Sequence, residues 1–263
     1  MQAVASKVAE KGNGERLKNI KCFDDMRGSA SGGTIATLFE SLQGRAQYKA
    51  VACDGFDPLL REKSPGSGAS DCKTKADLQA FIGYSKLAGS WVGPFVMASV
   101  MANCVRRSNA ILGYGPKLSY YEAARYPSFA AGFVSVFTLI IFGTCLACPP
   151  LTWILRTCVL PKPGEGPNEA TMDAGFLRVT AVGEGVSGTK AKCSFYFPND
   201  PGYRDTARML VESGLSLALQ ADEITCGGGV YTPAACQGAV LRRRLEATGS
   251  SFQWLPVEDM SSA

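Results

Sequence analysis

The chain has 263 residues, 27 Lys and Arg against 23 Asp and Glu, no histidine, and a net charge of +4. The missing imidazole excludes Ser-His-Asp and Cys-His nucleophilic mechanisms and most zinc sites, so no metal centre is expected. The basic excess is thin, and its densest run (residues 242–244) falls on an expected helix with an apolar opposite face, so no nucleic-acid partner is indicated.

Hydrophobic residues make up 46% of the chain, enough for one large domain or two small ones. Residues 1–16 are polar and alanine-rich, with Gly12 and Gly14, and read as a flexible arm; residues 17–263 read as the folded domain. The start, Met-Gln-Ala-Val-Ala-Ser-Lys, has no apolar secretory core. The 10 cysteines are irregularly spaced, and reduced thiols on a cytosolic face are expected.

Residues 19–23 predict a strand, 27–33 a small-residue loop, and 34–42 a short helix with Ile35, Leu38, Phe39 and Leu42 on one face. Such a loop aims free backbone N–H groups at an anion. Ser31, Gly32, Gly33 and Thr34 are therefore the candidate substrate- or cofactor-facing loop, with a plain structural turn as the competing reading. No Lys follows the second glycine and no G-x-G-x-x-G forms, so neither a P-loop nor a dinucleotide turn is present there. Asp24, Asp25 and Arg27 at the strand exit are either groups that orient a polar ligand or solvated charges. No general acid or base can be named from the sequence. Residues 52–77 read as a long surface loop, 95–112 as a helix opened by Pro94 and closed by Gly113 with Arg106 and Arg107 outward, and 118–122 as a short strand.

Residues 126–155 carry no charge between Arg125 and Arg156. As a helix, 129–148 would reach roughly 30 Å, the thickness of a bilayer core. Phe129, Phe133, Phe137, Ile140, Ile141, Phe142 and Leu146 point all around it and are expected to form a membrane anchor within an apolar helical segment, 129–155. Tyr126, Trp153, Arg156 and Lys162 suit the flanking headgroup zone. Soluble chain on both sides favours a monotopic or re-entrant anchor over a crossing, and a helix buried in a core or dimer interface is the alternative. Cys145 and Cys148 in this block read as packing.

Residues 176–182 and 191–197 predict a β-hairpin across a glycine-rich connection. Asp205 is placed to cap a helix over 206–220, with Tyr203 and Arg208 reading as packing groups, and service at a site as the competing reading. Thr232 and Pro233 start a helix that Gly249 stops, and a last strand covers 252–255. Strands and helices mix without a βαβ repeat. The expected fold is α+β, a mixed and largely antiparallel sheet packed with helices, plus one long apolar membrane-associating helix.

Ser31-Gly-Gly-Thr-Ile-Ala36, Pro94-Phe-Val-Met-Ala98 with Val105-Arg-Arg-Ser108, Tyr114-Gly-Pro116, Lys162-Pro-Gly-Glu-Gly-Pro167, Asp200-Pro-Gly-Tyr203 with Thr206-Ala-Arg-Met209, and Gly228-Gly-Val-Tyr-Thr-Pro233 occur in one order. That order resembles the C-terminal part of the saccharopine dehydrogenase-like oxidoreductases, a family that includes the trans-acting enoyl reductases of bacterial glycolipid synthesis. The resemblance implies an NAD(P)-dependent oxidoreductase linked to lipid metabolism, associated with an intracellular membrane or lipid droplet and forming a homo-oligomer or part of a larger membrane complex. It also implies that residues 17–263 are a substrate and dimerisation domain without the family's N-terminal Rossmann domain, so that this chain alone binds no cofactor and lacks activity. A non-catalytic membrane-associated scaffold or subunit is the alternative, and a lipid-carrying protein a third.

Overall fold

A computed structural model describes residues 1–28, 55–57, 59, 72–162, 164–224 and 226–257. The central strand is β1 (Leu17–Arg27). It pairs in parallel with β5 (Lys117–Tyr126) on one side and antiparallel with β6 (Phe176–Gly185) on the other. Beyond β6 come β7 (Lys190–Phe197) and β8 (Ser251–Leu255), both antiparallel. The far edge of β5 is shared: β2 (Lys73–Leu78) runs parallel to its first half, and β4 (Ser90–Gly93), paired with β3 (Gly83–Ser85), runs antiparallel to its end. The α+β expectation with a mixed, largely antiparallel sheet holds. The hairpin expected around residues 182–191 is β6–β7, whose alternating Val, Thr, Phe and Tyr suit a pleated surface.

Strand register decides which residues share a face. Ile20 lies beside Tyr120 and Cys22 beside Glu122, and across β6 Cys22 faces Ala181, which faces Cys193 on β7. Side chains alternate along a strand, so Asp24 lies on this face too. Two helices cover it: α1 (Gln2–Lys11) packs on β6 and β7, and α2 (Ala98–Leu112) on β2 and β5. The core there joins Val4 and Val8 of α1 and Ala102 and Val105 of α2 to Ile20, Cys22, Leu118 and Tyr120. A smaller core on the opposite face gathers Phe23, Val92 and Ala123.

Several local expectations change. The arm expected over residues 1–16 contains α1, with Val4 and Val8 fully buried; two valines at i and i+4 form a short apolar stripe that a polar composition hides. Residues 73–77 of the expected long loop belong to β2, where the parallel neighbour β5 supplies the backbone partners that composition alone does not reveal. Arg107 does not point outward: its guanidinium pairs with buried Asp57 and donates to the Val230 carbonyl. Cys226 and Cys236 form a disulfide, against the expected reduced thiols.

The expected long apolar helix is also corrected. The segment expected to be helical over 129–155 is two helices, α3 (Phe129–Ala147) and α4 (Pro149–Ile154), followed by a π-helical turn (Leu155–Val159). Cys148 between them is extended, because a residue that precedes proline is pushed out of the α region. Among the described residues no helix is long and apolar enough to cross a membrane. Ser128 caps α3 by accepting from the Ala131 amide, and Gly132 packs against Tyr126 of β5. Phe129, Phe133, Phe137, Ile140 and Ile141 are exposed, Phe142 is partly exposed, and the side chain of Leu146 lies outside the described residues.

The end of α2 fixes how β2 meets β5. Gly113 takes a left-handed φ of 64° and its amide donates to the Asn109 carbonyl, closing the helix. Asn109 is fully buried, and its side chain bonds both the amide and the carbonyl of Gly115 and the Thr74 hydroxyl, all at 3.0 Å. A Cβ on Gly115 would collide with the Leu17 carbonyl, so only glycine fits beneath this asparagine. Asn109→Ala leaves these buried groups without partners, at about 1–3 kcal/mol each for the desolvation. Urea titration is expected to show a clear fall in the unfolding midpoint; a midpoint equal to that of the parent chain would show that the joint contributes nothing.

Candidate functional site

On the helix-covered face, near the carboxyl ends of the parallel strands β1, β2 and β5, two carboxyl groups lie in the core. Asp24 is 3% exposed and Glu122 5% exposed. The β1–β5 register sets Glu122 beside Cys22, one side-chain step from Asp24. The sheet itself brings them together: alternation turns both inward, and parallel pairing holds their strands in step.

Burial dominates their electrostatics. Asp24 is pushed up to about 8, first by loss of water, then by the Glu122 charge and the hydrogen bond to Glu122. Burial also raises Glu122, while hydrogen bonds from Tyr120 and from Asp24 pull it back. Two carboxyls this close do not both ionise readily, so at neutral pH the pair keeps a proton. Tyr120, Cys22 and Cys193 around them are all raised above their ordinary values, chiefly by burial, so both thiols stay protonated and unreactive. Asp24 Oδ2 and Glu122 Oε2 are buried with no hydrogen-bond partner. The arrangement can hold a proton and donate or accept a hydrogen bond in a dry setting.

The structure sorts the residues singled out from sequence. Ser31, Gly32, Gly33 and Thr34 lie outside the described residues. Asp24 is no solvated charge, whereas Asp25 lies on the opposite face, partly buried, and Arg27 is exposed. Arg208 is a packing group: it bonds Asp205, the Thr248 carbonyl and the Ser250 hydroxyl, tying α5 (Arg204–Leu219) to the segment before β8. Glu122 was missed, although the alternation Leu118, Tyr120, Glu122 places it on the apolar stripe of a strand. The sequence alone named no general acid or base, and only the fold brings these two carboxyls together.

A concavity of about 520 Å³ lies between α5 and a glycine loop. Its walls include Leu217, Ile224, Tyr231 and the Cys226–Cys236 disulfide. Arg107 and Ser108 of α2 hold its rim through the Val230 carbonyl and the Thr232 hydroxyl. Among the described residues no strand passes through a glycine turn into a helix in the manner that seats a pyrophosphate.

Over 258 residues, 93% of its length, the chain is 33% identical to a Mycobacterium tuberculosis protein provisionally named a trans-acting enoyl reductase, covering 61% of that protein. It is 31% identical over 261 residues to the trans-acting enoyl reductase of Mycobacterium ulcerans, covering 92% of this chain and 60% of the relative. A trans-acting enoyl reductase of Mycobacterium bovis is 33% identical over 236 residues, 83% of this chain and 54% of the relative. The chain thus spans about three fifths or less of the curated relatives it matches. No family model matches it, and no solved structure matches it.

The buried acid gives the fold a defined pH response. A carboxyl whose folded value lies above its unfolded value binds more protons in the native state, so stability falls as pH rises. For Asp24 that window runs from 3.8 to about 8, with the full penalty present above it. Thermal unfolding is expected to show the melting temperature dropping by several degrees between about pH 5 and about pH 9, and Asp24→Asn losing most of that drop. Equal slopes for the two proteins would remove Asp24 as the titrating group.

Proposed function

We propose that this chain is the substrate-side part of an oxidoreductase of the trans-acting enoyl reductase kind, within the saccharopine dehydrogenase-like group. The observation that carries the reading is the similarity along 93% of the chain to a protein bearing that name. An enoyl reductase saturates a carbon–carbon double bond, which requires a reductant and a proton. The resemblance assigns the reductant to NAD(P), and with it we assign the binding of that cofactor to a Rossmann domain outside this sequence. What this chain offers is a folded domain with a buried carboxyl pair whose proton affinity burial raises.

A lipid surface is the partner that suits the exposed α3 and α4. Exposed apolar residues occur around α3 and continue onto Leu151, Trp153 and Ile154. No polar stripe separates them, as an amphipathic core-facing helix would require. Contact would be peripheral, through the broken helical pair, without a crossing.

The activity is tested by joining the chain to the part of a mycobacterial relative that it does not span. Joined protein and chain alone are each given reduced nicotinamide and a 2-enoyl thioester, and saturated product is read by mass spectrometry. Product from the joined protein and none from the chain alone is the expected result; a folded joined protein that makes none would sink the reading. Added NADPH should leave the melting temperature of the chain alone unchanged, since a ligand stabilises only what it binds. For the lipid surface, the parent chain should float with phosphatidylcholine vesicles and a Phe133→Asp, Ile140→Asp variant should stay in the lower fraction. Flotation of both alike would reject contact through α3.

A further inference from the structure

The helix α5 is amphipathic with its polar face turned inward. Its buried residues are Asp205, Glu212 and Ser216. That face packs on α6 (Gly238–Ala247) and the residue before it: Arg244 donates to Glu212 at 2.7 Å and to Gln220 at 3.1 Å, and the Ser213 hydroxyl donates to Gln237 at 2.9 Å. Every exposed residue from Ala207 to Leu219 is Ala, Leu, Val or Gly. Leu210 is 73% exposed, Val211 58% and Leu217 50%. A helix on a domain surface ordinarily turns its apolar stripe to the core and its charges to water. Here ion pairs and hydrogen bonds hold the reverse orientation, so the apolar stripe faces outward.

Gly214 lies on that stripe between Leu210 and Leu217, and a Cβ there would meet nothing within this chain. Glycine weakens a helix interior, and its use at an open position suits a close approach from outside. At about 1.5 Å per residue and about 10 Å across, the helix face offers on the order of 240 Å². Two copies pressed together through it would bury roughly 500 Å², about half of what a stable complex between separate molecules needs. A domain on the same polypeptide is held by its tether at an effective concentration in the millimolar range, so a smaller contact suffices. About two fifths of the Mycobacterium tuberculosis relative lies outside the match, on the order of one domain. Covering the stripe desolvates no charged group, which keeps the cost of association low.

Resting on the reading of a cofactor domain outside this sequence, we propose that the outward stripe of α5 is the docking surface for that domain, which covers Leu210, Val211, Gly214 and Leu217 with an apolar face of its own. Glu212 and Ser213, already paired inward, fix which side of the helix is offered.

The test compares the parent chain with the joined protein described above, both checked for folding by circular dichroism, by diazirine photolabelling of side chains and peptide mass spectrometry. Leu210, Val211 and Leu217 should label strongly in the chain alone and several-fold less in the joined protein, while Val186, exposed just beyond β6, labels equally in both. Leu210→Glu with Leu217→Glu should restore labelling of Val211 in the joined protein and enlarge its radius of gyration in small-angle scattering. In the chain alone the same two changes should leave the melting temperature at the parent value, because both side chains already stand in water. Equal labelling of the stripe in both proteins, protection that extends equally to Val186, or a chain variant that melts well below its parent overturns the proposal. Protection in the chain alone, whether from a dimer seen by sedimentation or from added phosphatidylcholine vesicles, overturns it too. The two readings fail separately: product from a joined protein whose stripe stays labelled rejects this docking surface alone, and a protected stripe without product rejects the reductase reading alone.

Discussion

Parallel pairing of β1 with β5, in the register that sets Cys22 beside Glu122, is the contact on which the rest of the structure rests. Parallel neighbours cannot be joined by a tight turn and need a crossover of a dozen residues or more. Here the connection from residue 28 to residue 116 carries β2, β3, β4 and α2, so the strands on the far edge of β5 and the helix that covers it belong to that one excursion. The same pairing carries Asp24 and Glu122, far apart in sequence, into one apolar layer. A slip of one residue in either strand would turn its carboxyl to the opposite face.

Burial of that pair works against stability, and the surrounding packing offsets it. Val4, Val8, Ile20 and Leu118 are each at most 1% exposed, and fully burying such side chains contributes roughly 1.5–3 kcal/mol apiece. The core can therefore tolerate a protonated acid and two unpartnered oxygens. Expensive polar groups in an otherwise apolar layer cluster at functional sites, because there the strain has a use. Asn109 is the contrasting case: equally buried, with its amide group bonded to Gly115 and Thr74, it is structural.

The apolar block shows how one local rule redirects a long-range expectation. A run of hydrophobic residues sets length and exposure, but the residue before a proline sets where a helix must end. Cys148 is extended, α4 restarts at Pro149, and the Thr152 hydroxyl donates to the Cys145 carbonyl across the break. The block is consequently a broken pair of short helices with exposed aromatic rings, among them the Phe129–Phe133–Phe137 stack. The disulfide was equally hidden in sequence. Cys226 and Cys236 are separated by ten positions of glycine loop and helix start, and only the turn between them brings their Cα atoms to 5.5 Å.

Sequence by itself determined the elements whose signals are local. The β6–β7 alternation, the glycine closing α2 and the Thr232 cap before Pro233 all follow from backbone rules that act within a few residues. It did not determine which strands pair across long separations, so α1, with only Val4 and Val8 to mark it, and β2, inside a loop-like composition, were not legible. The acid pair was half legible: Glu122 lies on the inward stripe of its own strand, but whether that stripe faces water or core depends on α2 and on the partner strand. Tertiary structure alone decided that Asp24 and Glu122 meet in a dry layer, because proton affinity is set by the dielectric and the charges within a few ångströms, and neither is a property of sequence order.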